Sequence, residues 1–142
     1  MFFFSVYRII KMACKFASQE DLNHYIQEMY KQEILTHGSC IIFRGGANNY
    51  RKFQCQVPSG ATVRPRVHVA VLCWKLGVLQ MPQDLHASHL CHHKNCINPA
   101  HLNTEPQDIN NNRIHCQSMR WEILDMSYCI GHGSHPDCLP WN

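Results

Sequence analysis

Three potential metal ligands lie close together in the second half of the sequence. Cys91, Cys96 and His101 are each separated by four residues in the segment CHHKNCINPAH. Structural zinc is held by four thiolate or imidazole ligands in a tetrahedron, and short loops between ligands allow one turn to surround the ion. The spacing therefore predicts most of a zinc site in this segment, with a fourth ligand supplied from elsewhere in the chain.

Two polar residues flank this segment and suit a different chemistry. His89 lies two residues before Cys91, and Asn110 lies nine residues after His101, on a predicted helix. A neutral imidazole can accept a proton from water, and a side-chain amide oxygen can bind a hard divalent cation. These are the two groups that a one-metal phosphodiester hydrolase requires.

The run SHLCHHKNCINPAHL (88–102), followed by Asn110, Arg113 and Cys116, resembles the His-Cys box homing endonucleases, members of the ββα-metal nuclease group. An ordinary zinc finger would share the cysteine spacing and a histidine. It would not share the SHLC start, the NPxHL run and the later asparagine together. The resemblance implies an α+β fold, with a small zinc-stabilised ββα-metal core, an antiparallel sheet and few helices.

The same resemblance implies an enzyme, a Mg²⁺-dependent and sequence-preferring endonuclease acting on double-stranded DNA. His89 would be the general base and Asn110 the ligand of one catalytic Mg²⁺. Cleavage would then fail at acidic pH, where a protonated imidazole cannot accept a proton. Either Arg64 or Arg66 would contact the scissile phosphate, and the alignment does not choose between them.

Two structural zinc ions are also implied by the resemblance. The first would be bound by Cys40, Cys91, Cys96 and His101, with Cys55 as the alternative to Cys40. Apolar alternation in 53–57 turns Cys55 toward the core, which favours Cys40. The second zinc ion would be bound by Cys116, Cys129, His132 and Cys138, with His135 as the alternative to His132.

Composition supports metal binding more clearly than it supports a partner. The 142 residues include nine cysteines and eleven histidines, and an odd cysteine count interleaved with histidine favours metal over disulfides. A formal charge of +3 suits a polyanionic partner without requiring one. The N-terminal MFFFSVYRIIKM is too short to span a membrane and lacks the charge order of a signal peptide. We therefore expect an intracellular protein, with the nucleus as a candidate compartment, rather than a secreted one.

The length predicts one domain. We expect an N-terminal extension at 1–17 and a single zinc-stabilised, nuclease-like domain at 18–142. Within that domain, a sheet region would span 40–63, the ββα-metal core 64–115 and a C-terminal zinc loop 116–142. The resemblance also implies a homodimer, but family members dimerise partly through an exchanged C-terminal arm, and only Leu139 to Asn142 follow Cys138. This mode of dimerisation is therefore not expected.

Periodicity and turn residues predict the elements. Ser18 and Asp21 resemble a capping box at the start of an amphipathic helix over 19–34, ended by Thr36, Gly38 and Ser39. The runs CIIF, RGGANN, YRKFQCQV and PSG predict a hairpin or meander, and 64–77 a buried strand or helix with His68 and Cys73 in the core. Thr104 and Gln107 predict a second capping box and a short helix over 105–114.

The polar face of the run YRKFQCQV is a candidate DNA-binding surface. Lys52, Gln54 and Gln56 alternate with the apolar residues, and Arg51 precedes them. A two-stranded ribbon fits the major groove, where glutamine and lysine contact base edges, although a merely solvated face is the alternative. Two other functions compete with the enzyme: a zinc-stabilised DNA-binding or regulatory module without cleavage, and a zinc-built protein-interaction domain. The presence of both His89 and Asn110 favours the enzyme.

Overall fold

The computed structural model describes residues 16–32, 34–44 and 52–140. Within these ranges the chain forms three α-helices and three separate two-stranded antiparallel sheets, which confirms the predicted α+β class. The helices are α1 (Gln19–Tyr30), α2 (Val67–Leu76) and α3 (Gln107–Ile123). The strands are β1 (Ile34–His37), β2 (Cys40–Phe43), β3 (Cys55–Gln56), β4 (Thr62–Val63), β5 (His86–His89) and β6 (Leu102–Glu105), with a 3-10 helix at Pro99–His101.

Helix α1 begins as predicted but ends earlier. The Ser18 hydroxyl accepts a hydrogen bond from the N–H of Asp21 at 3.2 Å, which confirms the N-terminal cap. The carboxylate of Asp21 does not complete a capping box, because it accepts hydrogen bonds from the backbone N–H and hydroxyl of Ser59, at 3.1 and 2.6 Å. The predicted end at residue 34 is wrong, since the helix stops at Tyr30 and Ile34 begins β1.

Strands β1 and β2 form a hairpin, with Ile34 opposite Phe43 and His37 opposite Cys40. The predicted role of Thr36 in ending a helix is therefore wrong, because Thr36 lies in β1 and Gly38 makes the turn with φ of 57°. The run CIIF forms β2 and pairs with β1, which precedes it in the sequence. Residues 52–57 instead pair with residues 61–66, which follow them in the sequence. The predicted meander is thus divided into separate hairpins, and 45–51 lies outside the described residues.

The second hairpin, here named the ribbon, comprises residues 52–66. Strand β3 pairs with β4, and an isolated bridge joins Lys52 to Arg66 at the other end. The predicted alternation is confirmed: Cys55 and Val57 are buried and Phe53 is half-buried, while the residues between them are exposed. The turn at 58–60 is the part of the ribbon that Asp21 of α1 binds.

Helix α2 follows the ribbon directly and packs against α1. The sequence left a strand or a helix open for this stretch, and the structure has a helix that ends at Gly77 with φ of 69°. His68 and Cys73 are buried in it, as predicted.

At the other end of the chain, Phe16 lies edge-on against Tyr25 of α1, with ring centroids 5.3 Å apart. Residues 1–15 of the predicted N-terminal extension lie outside the described residues.

Strands β5 and β6 and helix α3 form a ββα unit. His86 pairs with Glu105 and His89 with Leu102. The predicted second capping box is wrong, because Thr104 belongs to β6 and Pro106 is the N-cap of α3, with no side-chain cap. Helix α3 also continues well past residue 114 to Ile123. No helix in the described part of the chain is long and apolar enough to cross a membrane.

Candidate metal centres and active site

The first candidate metal centre joins β2 to the loop after β5. The ligand atoms of Cys40, Cys91, Cys96 and His101 all lie within 4.8 Å of one another, and all four side chains are buried. Nδ1 of His101 is 3.5 Å from the sulfur of Cys40 and 3.5 Å from that of Cys96. This arrangement fits a closed, structural Cys3His zinc site.

Backbone pairing brings the fourth ligand of this centre into position. The N–H of Ile97 donates to the carbonyl of Ile41 at 2.7 Å, so the loop runs beside β2 like a short third strand. Cys40, the first residue of β2, is thereby held against the loop. Cys55, the alternative ligand, lies buried in the ribbon, where its thiol contacts the carbonyl of Gln56 at 3.4 Å.

The thiols of the first centre have shifted pKa values. The hydrogen bond from Cys91 is the main cause that lowers the pKa of Cys96 to about 4. Burial raises the pKa of Cys40 to about 11, and the hydrogen bond with Cys96 raises the pKa of Cys91. Sulfur atoms packed this closely do not ionise together unless a cation neutralises them. A divalent metal ion is the partner that stabilises three adjacent thiolates.

The second candidate metal centre lies between α3 and the C-terminal loop. The ligand atoms of Cys116, Cys129, His132 and Cys138 also lie within 4.8 Å of one another. Nε2 of His132 is 3.6 Å from the sulfur of Cys116 and 3.3 Å from that of Cys138. His135, the alternative ligand, is turned away, with Nδ1 at 3.7 Å from the carboxylate of Glu105. Two Cys3His sites therefore fit structural zinc in this chain.

A buried ion pair connects the second centre to the ββα unit. Arg113 of α3 is 2 % exposed and Glu105 of β6 is 0 % exposed. The guanidinium binds both carboxylate oxygens of Glu105, with Nε donating to Oε1 at 2.6 Å. It also donates to the sulfur of Cys138 at 3.4 Å and to the carbonyl of Pro136 at 2.6 Å. One side chain thus contacts the strand, the helix and the C-terminal loop.

His89 is the last residue of β5, next to the first metal centre. Its Nε2 lies 3.1 Å from the carbonyl oxygen of Cys96. A carbonyl only accepts hydrogen bonds, so Nε2 carries the proton and Nδ1 keeps a free lone pair. Burial is the main cause that lowers the pKa of His89 to about 4, and its ring lies against that of His68 with centroids 4.9 Å apart. The imidazole is therefore neutral at neutral pH.

Asn110 lies in the first turn of α3, and its side chain is bound to β5. Its amide oxygen Oδ1 accepts a hydrogen bond from the hydroxyl of Ser88 at 3.0 Å. Ser88 is the neighbour of His89 in β5 and is fully buried. The ββα unit therefore connects both candidate active-site residues through one short hydrogen-bonded link.

The ribbon brings together two sets of candidate DNA contacts that lie apart in sequence. Cys55 faces Val63 and Lys52 faces Arg66, so the same register sets Gln54 opposite Arg64. One exposed face consists of Lys52, Gln54, Gln56, Thr62, Arg64 and Arg66. The ribbon contains no acidic residue. Arg51, another predicted contact, lies outside the described residues.

Sequence reasoning assigned no role to Ser88, Glu105 or Arg113. The wrongly predicted capping box placed Glu105 in the first turn of a helix, whereas Glu105 is the last residue of β6. Its burial and its ion pair were therefore not predicted. A usable signal was present in α3, where Arg113, Cys116 and Arg120 recur at helical spacing and form its buried stripe. Polar residues at helical spacing therefore indicate the buried face of a helix, as apolar residues do, when hydrogen-bonding or metal partners are available to them.

Comparison with known proteins agrees with this geometry. A family model described as the zinc-binding loop region of homing endonuclease matches residues 68–140, about half of the chain. The chain belongs to this family, which confirms the resemblance found in its sequence. No curated protein and no solved structure matches the chain.

Proposed function

We propose that the chain is a Mg²⁺-dependent, sequence-preferring endonuclease that hydrolyses phosphodiesters in double-stranded DNA with a histidine base and one metal ion. Family membership supports nuclease-type function in general. The observation that carries the specific proposal is the hydrogen bond between Nε2 of His89 and the Cys96 carbonyl. This bond fixes the tautomer in which Nδ1 accepts a proton.

Each of the remaining groups has one role in the proposal. Nδ1 of His89 accepts the proton of the attacking water. Asn110 fits Mg²⁺ as a ligand, because its amide oxygen is the hard donor this ion prefers. When bound, Mg²⁺ supplies charge neutralisation at the phosphate and at the leaving 3′ oxygen. The two zinc sites are closed by four protein ligands each and serve to hold loop and helix in place.

We assign the phosphate contact to Arg66 rather than to Arg64. Arg66 directly precedes α2, and His68, two residues further on, contacts the ring of His89. Burial first, and then the charges of His89 and Arg66, lower the pKa of His68, so the guanidinium is within electrostatic range of the His68 ring. Arg64 lies two residues further from α2 along the ribbon. A guanidinium suits this role because it can bind two phosphate oxygens at once.

The exposed face of the ribbon is the proposed DNA-binding surface. Its cationic side chains would bind phosphates, and its glutamines would contact base edges. We therefore expect binding that weakens steeply with salt, and Arg64→Ala should reduce the slope of that dependence by about one. Gln54→Ala and Gln56→Ala should instead change sequence preference, by about 1–3 kcal/mol at the contacted base pair.

Gln27→Ala, on the exposed side of α1, is the matched control for the glutamine variants. Binding measured on a library of DNA sequences at several salt concentrations separates the two contributions. If the glutamine variants alter neither affinity nor sequence choice while Arg64→Ala does, the ribbon only positions the protein on DNA.

Catalysis is tested by incubating purified protein with plasmid DNA and Mg²⁺. His89→Ala should lower the cleavage rate about a hundredfold or more, because a general base contributes that much. Asn110→Ala should also abolish most cleavage, because it removes the proposed Mg²⁺ ligand. Zinc content, fold and DNA affinity should stay close to those of the unaltered chain. His115→Ala and Asn112→Ala are matched controls, since both residues are exposed on α3 and outside the proposed site.

One result would replace this proposal. If the unaltered protein binds DNA tightly but never nicks it with Mg²⁺ or Mn²⁺ at neutral or mildly alkaline pH, the chain is a zinc-stabilised DNA-binding or regulatory module. Removal of Mg²⁺ by a chelator should stop cleavage without releasing zinc, because each zinc site is closed by four protein ligands.

A further inference from the structure

We propose that Ser88 is a positioning residue that fixes the side-chain amide of Asn110 so that its oxygen, and not its nitrogen, lies beside the strand carrying His89. This inference rests on the proposed function, in which that oxygen binds Mg²⁺. It assigns a specific task to a serine that touches neither the metal ion nor the DNA.

The hydrogen bond between the two residues is buried and joins two elements. The Ser88 hydroxyl donates to Oδ1 of Asn110 at 3.0 Å, and Ser88 has no exposed surface. The backbone N–H of Asn110 donates to the carbonyl of Pro106 at 3.1 Å, which fixes the main chain within α3. The helix therefore holds the backbone of Asn110, and Ser88 holds the end of its side chain.

An asparagine needs such a partner if only one of its ends can do the chemistry. The two ends of the amide have similar shapes, but the oxygen attracts a cation and the NH₂ group repels it. Rotation about the last side-chain bond has a broad, roughly two-fold profile and selects neither end by itself. The amide oxygen has two lone pairs, so one can accept from Ser88 while the other remains for a metal ion.

The buried ion pair lies next to Ser88. Burial favours the neutral form of Glu105, but its hydrogen bonds with Arg113 and Asn103 outweigh this effect and lower its pKa. The Ser88 hydroxyl has a single proton, and this proton is donated to Oδ1 of Asn110 rather than to the carboxylate. Since Arg113 also binds Cys138, hydrogen bonds connect the second metal centre to Glu105 of β6, the strand that pairs with β5.

The first test needs no cleavage. In the zinc-loaded full chain labelled with ¹⁵N, side-chain relaxation of the Asn110 NH₂ group reports how firmly the amide is held, and Asn110→Asp identifies its signal. We expect a rigid amide in the unaltered chain and in Ser118→Ala, which removes an exposed hydroxyl from the same helix. Ser88→Ala should make the Asn110 amide mobile while zinc content stays unchanged.

The second test is the Mg²⁺ requirement of cleavage. Loss of one neutral hydrogen bond should raise the Mg²⁺ concentration for half-maximal cleavage by about two- to tenfold in Ser88→Ala. DNA affinity measured without Mg²⁺ should not change, because Ser88 is buried. Ser88→Thr retains the hydroxyl and should return the Mg²⁺ requirement toward that of the unaltered chain.

A mobile Asn110 amide in the unaltered chain would overturn the inference, whatever the variants do. So would an amide equally rigid in Ser88→Ala, or an unchanged Mg²⁺ requirement in that variant. If the unaltered chain cleaves nothing, the proposed function fails, and the relaxation measurement still decides whether Ser88 fixes the amide.

Discussion

The two Cys3His centres have the same ligand types, but their ligands are separated by very different lengths of chain. In the first centre, the segment between Cys40 and Cys91 contains the whole ribbon and α2. In the second, all four ligands lie between Cys116 and Cys138, on one helix and the loop that follows it. The first centre therefore joins distant parts of the fold, whereas the second organises a local loop.

The types of buried residue around the two centres also differ. Members of the apolar core run from Phe16 to Leu102. In the described chain after Leu102, the buried side chains are polar or cysteine: Glu105, Arg113, Cys116, Arg120, His132 and Cys138. Metal ligands and hydrogen bonds thus replace apolar burial in the C-terminal part. The difference teaches that identical metal chemistry can either complete a core or take the place of one.

The largest effect expected is that of Cys96→Ala, which should unfold the core. Structural zinc contributes about 10–16 kcal/mol of apparent binding energy in small peptides, comparable with or larger than the 5–15 kcal/mol net stability of a typical domain. Zinc analysis together with circular dichroism should report loss of metal and of helix. The control is Cys55→Ala, which removes a buried thiol outside both centres and should keep two zinc ions. A folded and stable Cys96→Ala protein would refute the importance of the first centre.

Cys129→Ala should have a smaller and more local effect. It removes a partly exposed ligand of the second centre, so zinc content should fall from two ions to one. Amides of α1 and α2 should keep their protection from hydrogen exchange while the loop after α3 loses it, because the apolar core does not extend there. Global unfolding in this variant would show that the second centre is not a local device.

Arg113→Gln tests the connection between the two regions. It leaves the buried carboxylate of Glu105 without its counter-charge, and breaking a buried pair costs about 3–5 kcal/mol. The matched control is Lys31→Ala, which breaks an exposed pair with Glu28 and should leave the free energy of unfolding nearly unchanged. Chemical denaturation measures both free energies of unfolding. Equal values would mean that the buried pair does not connect the regions.

The smallest effect is expected for His135→Ala. This histidine lies beside Glu105 but outside the ligand cluster, so both zinc ions should remain and stability should change by less than about 1 kcal/mol. His132→Ala should instead release the second zinc ion. The opposite pattern of zinc contents would assign the ligand role to His135.

Local spacing predicted more of this molecule than did helix boundaries. The ligand spacing around Cys91 and the alternation that turned Cys55 inward both depend on near neighbours, and both agree with the structure. The length of α3 could not be predicted from apolar periodicity, because its buried stripe is built from Arg113, Cys116 and Arg120. Likewise, residues 34–37 form a strand because they pair with β2. The strand propensity of a segment does not indicate which other segment it pairs with.

The hydrogen bonds from Ser59 to Asp21 affect the distance between the DNA sequence that the proposed nuclease would recognise and the bond that it would cut. A two-stranded hairpin alone is only marginally stable, and here the carboxylate of a buried residue in α1 holds its turn. At its other end, the ribbon continues without a linker into α2, which contacts the ring of His89 through His68. Both ends of the ribbon are thus fixed relative to His89. The number of base pairs between the sequence that is recognised and the bond that is cut would therefore be constant.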